Sequence, residues 1–232
     1  MKIDDPADVR DQYATEANLE ARRALYEDAD GPDPRQIAFE AVAESAPARV
    51  LEVGGGPGEL SVRMAQELGV DVVMVDVSPR MVELARARGV DARVGDIQSL
   101  EFADGSFDCV VAAWVLFHLP DLDSGIAELA RVLRKGGRLV AATNAEEHML
   151  ELRELAGPAA WERPFTRENG AAILGRHFAT VERRDADGLV TITREELVHG
   201  WFESLGHPEA TLAPFDLPLT VRRASSIFVA TK

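Results

Sequence analysis

Three consecutive glycines at positions 54–56 constrain this chain more than any other feature of its sequence. They follow an apolar run at 50–53, which predicts a short buried strand. After Gly58 the apolar residues recur at helical spacing over 60–68. A strand, a glycine-rich turn and the start of a helix together form a ligand-binding crevice at the carboxyl end of the strand. The stretch therefore predicts a binding site in which a ligand lies against bare main chain.

A single carboxylate, Glu52, interrupts the apolar strand that leads into the glycines. Burying a carboxylate in such a strand is costly unless the charge is paired or hydrogen-bonded. Either a function or a local hydrogen-bond network must therefore explain Glu52.

Apolar strands alternate with helical segments along the rest of the chain. Further strands are predicted at 70–76, 90–94, 107–114, 138–143, 178–182 and 224–231. Helices are predicted after the N-cap residue Ser78 and over 124–134. This alternation predicts an α/β fold with a Rossmann-like, seven-stranded, mostly parallel sheet, helices on both of its faces and an antiparallel last strand.

Helical patterns also occupy both ends of the chain. Helices at 13–26 and 34–45 precede the first strand and are expected to form an N-terminal helical lid over the crevice. Later helices are predicted at 146–155, after the N-cap residue Thr166, and from a capping box at Thr193 through Ser204. Residues 206–218 hold three prolines and predict a loop.

The charge balance limits the kinds of partner. The chain has 25 basic and 40 acidic residues among 232, a formal net charge of −15. Such a surface repels phosphate backbones and anionic membranes, so we expect neither nucleic acid nor a membrane as a partner. A lone cysteine, Cys109, and an N-terminus with no apolar signal segment favour a cytoplasmic location. No clustered His/Cys spacing supports a metal site, and the expected assembly is a monomer or homodimer.

The spacing of the glycines distinguishes between two classes of cofactor. A dinucleotide-binding turn requires a third glycine that in this chain is replaced by Glu59. A carboxylate there would face a pyrophosphate at the start of the helix, which is electrostatically unfavourable. The loop instead suits a ligand with a cationic or neutral group beside it.

Five motifs in order resemble those of the class I S-adenosylmethionine-dependent methyltransferases. The first is the loop at 52–58, and an acid closes the second strand at Asp76. The others lie at 95–97, at 107–108 and at 133–138, before the fifth strand. The resemblance covers about 49–143, and the flanking segments are loosely similar to the small-molecule branch that includes quinone-biosynthesis enzymes. Gly55 departs from the family, in which many members carry cysteine or another small residue.

The resemblance implies S-adenosylmethionine as the cofactor, with S-adenosylhomocysteine as its product. The loop backbone would approach the methionine and ribose portions at Gly54, Gly55, Gly56 and Gly58. Three carboxylates would also bind the cofactor. Glu52 would bind its ammonium group, Asp76 its ribose hydroxyls and Asp96 its adenine amino group. Asp76 considered alone could be a helix cap, and Asp96 alone a turn residue. A register shared with the glycine loop favours binding for both.

The remaining cofactor contacts implied by the resemblance come from apolar, backbone and lid groups. Val77 and Met81 would pack on the adenine faces, and the Ile97 N–H would donate to a ring nitrogen. The Ala113 carbonyl would lie near the amino-acid portion of the cofactor. Tyr13 and Arg22 are the lid residues that would close over its carboxylate, although an arginine on an exposed helix is also common without such a role. The resemblance divides a single domain, 1–232, into a helical lid segment (1–48), a cofactor-binding core (49–143) and a substrate-side segment with the closing strands (144–232).

The predicted reaction is methyl transfer to a small-molecule acceptor by in-line displacement, with oxygen, nitrogen or carbon as the acceptor atom. His118 follows the fourth strand and is either a general base or a structural histidine that caps the loop. The candidate substrate contacts are Trp114, Phe117, Asn144 and His148. Two alternatives remain: a non-catalytic S-adenosylmethionine-binding regulatory or partner module, and an NAD-dependent oxidoreductase, which Glu59 disfavours.

Overall fold

The computed structural model describes residues 17–27, 29–157, 163–205 and 212–232. The predicted lid residue Tyr13 lies outside these ranges. Seven strands form one sheet: β1 (Arg49–Val53), β2 (Asp71–Asp76), β3 (Asp91–Val94), β4 (Phe107–Ala113), β5 (Leu133–Asn144), β6 (Thr180–Ile192) and β7 (Leu219–Thr231). The described helices are α1 (Ala17–Leu25), α2 (Pro34–Ala43), α3 (Glu59–Arg63), α4 (Pro79–Ala87), α5 (Leu122–Val132), α6 (Leu150–Glu154), α7 (Arg167–Leu174) and α8 (Glu195–Ser204).

The strand order is β3-β2-β1-β4-β5-β7-β6. Strands β1 to β5 run parallel to one another, whereas β7 is antiparallel to both β5 and β6. The prediction of a mostly parallel seven-stranded sheet with an antiparallel last strand is therefore confirmed. The order of the strands extends from β1 through β3 towards one edge of the sheet and from β4 onwards towards the other. This switch between the adjacent parallel strands β1 and β4 opens a crevice at their carboxyl ends.

Helices cover both faces of the sheet, as predicted. On one face α2 packs against β4, β5 and β7 and completely buries Ala38, Ala41 and Val42. On the other face α5 buries Ile126 and Leu129 in a larger core cluster. Of the two helices predicted to form a lid, α2 belongs to this packed layer, whereas α1 packs against α8. A lid function of α1 stays a prediction. None of the helices in the described part of the chain is both long and apolar enough to span a membrane.

Three local predictions differ from the structure. Strand β5 begins at Leu133 instead of residue 138, because Gly136 and Gly137 form an irregular turn that remains paired with β4 and the end of the chain. The predicted capping box at Thr193 does not form, since α8 begins at Glu195 after Arg194, which makes no side-chain capping bond. The predicted helix at 146–155 is reduced to the short α6, because backbone bonds to β7 tie down the turn that precedes it.

Candidate active site

The glycine loop between β1 and α3 turns through positive φ at Gly54, Gly56 and Gly58, with values of 64°, 56° and 80°. Such backbone angles strain any residue that carries a Cβ. The Gly54 N–H donates to the Val75 carbonyl at 2.7 Å, which ties the loop to the end of β2. The loop is thereby fixed at the carboxyl edge of the two central strands.

Packing within the protein leaves little room for a Cβ at three of the four loop glycines. A Cβ at Gly54 would lie 2.3 Å from the Val115 side chain, and one at Gly58 would lie 2.9 Å from the Ala85 Cβ. A Cβ at Gly55 would lie 2.6 Å from the Met74 sulfur. In contrast, a Cβ at Gly56 would meet no heavy atom within 4 Å. Gly56 is thus the loop glycine whose bare backbone opens onto space that a ligand can fill.

Asp76 closes β2 directly beside this open backbone. Its Oδ2 accepts from the Gly56 N–H at 2.9 Å, and its Oδ1 accepts from the Ser78 N–H at 2.8 Å. Burial raises the pKa of Asp76, and these two bonds oppose the rise. A carboxylate oxygen can accept more than one hydrogen bond, so both oxygens keep capacity for ligand hydroxyls.

Glu52 is buried under the loop, with 3% of its surface exposed. Burial raises its pKa to about 7, opposed by a short hydrogen bond from the Ser61 hydroxyl and reinforced by the Asp76 charge. The hydrogen bond from Ser61 is therefore the local interaction that the sequence predicted for this buried carboxylate. Its protonation state changes near neutral pH, which suits a group that meets a cationic ligand.

The residues predicted to surround the adenine lie in different environments. Val77 is exposed by 38%, unusual for a large apolar side chain, and Asp96 is exposed, with its carboxylate accepting from the Gln98 N–H at 2.8 Å. Ile97 is buried in the larger core cluster, so only its backbone is suited to ligand contact. Met81 has no exposed surface and presents nothing to the crevice in this conformation. Val77 and Asp96 are therefore the adenine-side groups that a ligand can reach.

The end of β4 carries the next group of predicted residues. Ala113 is half-buried, and Trp114 turns the chain out of the strand with a φ of 55°. The Trp114 indole N–H donates to the Asn144 side-chain oxygen at 3.1 Å, and this oxygen also accepts from the Ser225 hydroxyl at 2.9 Å. The predicted substrate residues Trp114 and Asn144 are thus brought together, although the side-chain oxygen of Asn144 already accepts two hydrogen bonds from protein donors.

Phe117 and His118 lie in a short turn after β4, with ring centroids 4.6 Å apart. Phe117 is buried, whereas His118 is partly exposed. The Arg163 guanidinium carbon lies 5.5 Å from the centroid of the Phe117 ring. His118 is accordingly the partly exposed imidazole on this edge of the sheet, and its role as a base stays a prediction.

His148 is held inside the protein and is only 4% exposed. Its Nδ1 accepts from the Ala224 N–H at 3.1 Å, and its Nε2 lies 3.0 Å from the Tyr26 hydroxyl of the segment after α1. Burial, followed by the nearby Arg163 and Arg153 charges, lowers the pKa of His148 well below its ordinary value. Sequence reasoning missed Tyr26, because a tyrosine at the end of an amphipathic helix carries no signal of a partner 122 residues away.

The predicted lid arginine, Arg22, bonds to α8 instead of facing the loop. Its Nη2 donates to the Ser204 carbonyl at 2.6 Å. The neighbouring Arg23 lies against the loop, where its Nη1 donates to Glu59 at 2.6 Å. Among the described residues of the predicted lid segment, Arg23 is therefore the arginine that bonds to the helix start after the glycine loop. Among the described residues, no group of three His, Cys, Asp or Glu side chains could hold a metal ion.

Fold and site together define a class of protein. Residues 51–141 match the model of a family described as a methyltransferase domain. A crystal structure of an S-adenosylmethionine-dependent methyltransferase from Thermotoga maritima, described as a possible histamine N-methyltransferase, has the same fold, with a TM-score of 0.63 and 21% identity over 96% of this chain and 99% of that chain. The chain belongs to the class I S-adenosylmethionine-dependent methyltransferases, which confirms the family resemblance seen in the sequence.

Its sequence relatives include quinone-biosynthesis enzymes. It is 37% identical over 113 residues to a demethylmenaquinone methyltransferase of Thermus thermophilus, covering 46% of this chain and 51% of that protein. It is also 37% identical over 148 residues to a ubiquinone biosynthesis O-methyltransferase of Xanthomonas oryzae pv. oryzae, covering 57% of this chain and 59% of that protein. The chain thus spans between half and three fifths of the length of these curated relatives.

Proposed function

We propose that this protein transfers the methyl group of S-adenosylmethionine to an oxygen, nitrogen or carbon atom of a small-molecule acceptor. The observation that carries the proposal is the open backbone at Gly56 beside the buried Asp76 carboxylate. A glycine held at positive φ over empty space, next to a carboxylate with free acceptor capacity, suits a ribose-bearing ligand that lies against the main chain.

The other polar and apolar groups at this edge of the sheet each suit one part of the cofactor. Glu52, with its pKa raised to about 7 by burial, suits the ammonium group, directly or through water. Asp76 suits the ribose hydroxyls, while the exposed Asp96 and Val77 suit the amino group and one face of the adenine. The Ala113 carbonyl, at the end of β4, lies at the same edge as the loop. Two carboxylates close to the loop also match the net positive charge of a sulfonium cofactor.

When bound, the sulfonium supplies an activated methyl group, so this chain's own residues mainly orient an acceptor and exclude water. Trp114 and Phe117 supply apolar surface on the acceptor side of β4. His118 follows them and is the group we assign to take a proton from the acceptor, since imidazole titrates near neutral pH. A carbon or amine acceptor that loses its proton only after transfer would need His118 less than a hydroxyl acceptor would.

The acceptor is proposed to be a freely diffusing small molecule in the cytoplasm. The formal net charge of −15 disfavours nucleic acid and anionic membrane surfaces. Glu59, which begins α3, disfavours a dinucleotide pyrophosphate at that helix end, although its ion pair with Arg23 at 2.6 Å partly offsets its charge.

The proposal is tested by calorimetric titration of the protein with S-adenosylmethionine, S-adenosylhomocysteine and NAD in parallel. We expect the first two to bind and NAD not to bind, and Asp76→Ala to weaken the binding strongly while the protein stays folded. Binding of NAD alone would overturn the assignment. Binding of S-adenosylmethionine with no methyl transfer to any acceptor in a broad panel would favour the non-catalytic module instead.

A further inference from the structure

Hydrogen bonds fix the tautomer of His148. Because its Nδ1 accepts the Ala224 N–H at 3.1 Å, this nitrogen carries no hydrogen. Burial and nearby arginine charges lower the pKa of His148 well below its ordinary value, so the imidazole is neutral and its hydrogen is on Nε2. The Nε2–H therefore donates to the Tyr26 hydroxyl oxygen, 3.0 Å away.

This assignment leaves the hydroxyl hydrogen of Tyr26 to be used elsewhere. The bond with His148 occupies the oxygen as an acceptor, and within the described part of the chain the phenol makes no other hydrogen bond. Burial raises the pKa of Tyr26 to about 12, so the hydroxyl stays protonated under all physiological conditions. Tyr26 is thus a permanent donor that is already oriented by a protein group.

Arginine charges act on the Tyr26–His148 pair: the charge of Arg163 acts on both residues, and that of Arg153 acts on His148. Arg153 is 7% exposed; its Nη2 bonds to the Glu146 carbonyl, and no carboxylate among the described residues pairs with it. Glu146, Glu151 and Glu154 act on it only at longer range, and burial lowers its pKa. Arg163 lies over Phe117, and its charge reaches both Tyr26 and His148. We call Tyr26, Phe117, His148, Arg153 and Arg163 the substrate-side cluster.

Arg167 shows what a satisfied buried arginine looks like in this protein. Its guanidinium bonds to the Ser226 hydroxyl at 2.7 Å and to Asp187, with Asp185 at 3.7 Å. The chain has 40 acidic residues, so a carboxylate for Arg153 would have been easy to supply. A buried guanidinium without a paired carboxylate is expensive, and a bound anion removes that cost.

We propose that the methyl acceptor carries a carboxylate group, which the Tyr26 hydroxyl and the Arg153 and Arg163 guanidinium groups bind on the substrate side of the sheet. The cluster reaches the candidate reaction centre through Phe117, whose ring lies next to that of His118. His148 acts as a positioning residue that directs the Tyr26 hydrogen away from itself. This inference rests on the proposed function, because it concerns the acceptor of the same reaction.

The test is calorimetric titration of the full chain, saturated with S-adenosylhomocysteine, with benzoate, phenylacetate and hexanoate. Each acid is compared with its primary amide, which has the same shape and no charge. We expect acids to bind about tenfold or more tightly than their amides, and Tyr26→Phe to weaken acid binding about tenfold, since hydrogen bonds to charged groups are the strong ones. Arg153→Gln should weaken acid binding at least as much, and Arg153→Lys should restore part of it.

A matched control distinguishes a direct contact between an arginine and the acid from the effect of the protein's overall charge. Arg176→Gln removes the same charge from a side chain that is 65% exposed, and it should leave the preference for acids unchanged. Acids that bind no better than amides, or not at all, would overturn the inference, as would Tyr26→Phe protein with wild-type acid affinity. Affinity for S-adenosylhomocysteine is measured first on every variant. If the wild-type protein does not bind S-adenosylhomocysteine, the proposed function is wrong. If it binds S-adenosylhomocysteine but shows no preference for acids, only this inference is wrong.

Discussion

Gly56→Ala is the substitution that most directly tests whether the glycine loop binds the cofactor. The added Cβ would meet no protein atom within 4 Å, so its effect on the fold comes only from the backbone, which has a φ of 56°. An alanine at such an angle costs about 1 kcal/mol. For a chain of this size, that cost lowers the melting temperature by about 2–4 °C.

The effect on cofactor affinity should be much larger than the effect on stability. The new methyl group would occupy the space beside the Asp76 carboxylate, where the cofactor is proposed to lie. Overfilling a tightly packed contact by one methyl group costs about 1–3 kcal/mol. This range corresponds to a loss of affinity of about 5- to 150-fold.

Gly69→Ala is the matched control. Gly69 ends the helical segment before β2 with a φ of 67°, and a Cβ there would also meet no atom within 4 Å. Both variants should therefore melt at similar temperatures, while only Gly56→Ala should lose affinity for S-adenosylmethionine by calorimetry. Wild-type affinity in Gly56→Ala would refute the proposal that the cofactor lies against the backbone of Gly56. An equal loss in Gly69→Ala would show that the loss reflects general destabilisation.

Three further predictions follow from groups in or near the site. Asp76→Asn should lower stability by about 1–3 kcal/mol in chemical denaturation, because an amide has one acceptor oxygen for two N–H donors, those of Gly56 and Ser78. Burial raises the pKa of Glu52 to about 7 from an ordinary 4.5, so cofactor affinity should increase as pH rises through 7, and Glu52→Gln should remove this dependence in titrations over pH. The native carboxyl binds its proton more tightly than the unfolded one, so Glu52 should also lower stability as pH rises from 4.5 to 7 and have a constant effect above that window. The Cys109 thiol is completely buried, which raises its pKa to about 12; it should react with a thiol reagent only after denaturation, as followed by absorbance.

Local sequence patterns predicted the sheet and the glycine loop well, because the signals that specify them are local. The change from strand to helix period across the glycines located the loop, and Ser78 caps its helix as predicted by accepting from the Met81 N–H. Asp76 and Asp96 were found from their positions after apolar strands. Parallel strands place such positions at one edge of the sheet, so their convergence needed no three-dimensional information.

The substrate side could not be predicted in the same way, because its contacts join distant parts of the chain. Tyr26 and His148 are 122 residues apart, and the partner of Arg22 is 182 residues away. Adjacent helical residues point about 100° apart, so a choice between Arg22 and Arg23 depends on a helix orientation that only packing determines. The prediction of His148 as a direct substrate contact overlooked that burial and two hydrogen bonds already occupy its ring.

Helix α1 connects the two halves of the proposed site. Arg23 bonds to Glu59 beside the glycine loop, and Tyr26, directly after the helix, bonds to His148 on the substrate side. With nine residues, α1 is too short to be stable alone, so its order depends on these contacts and on Arg22, which anchors it to Ser204. The pair with Glu59 is exposed and therefore weak, whereas the contact with the buried His148 is partly shielded from solvent. The contact with His148 consequently holds α1 more firmly than the contact with Glu59 does.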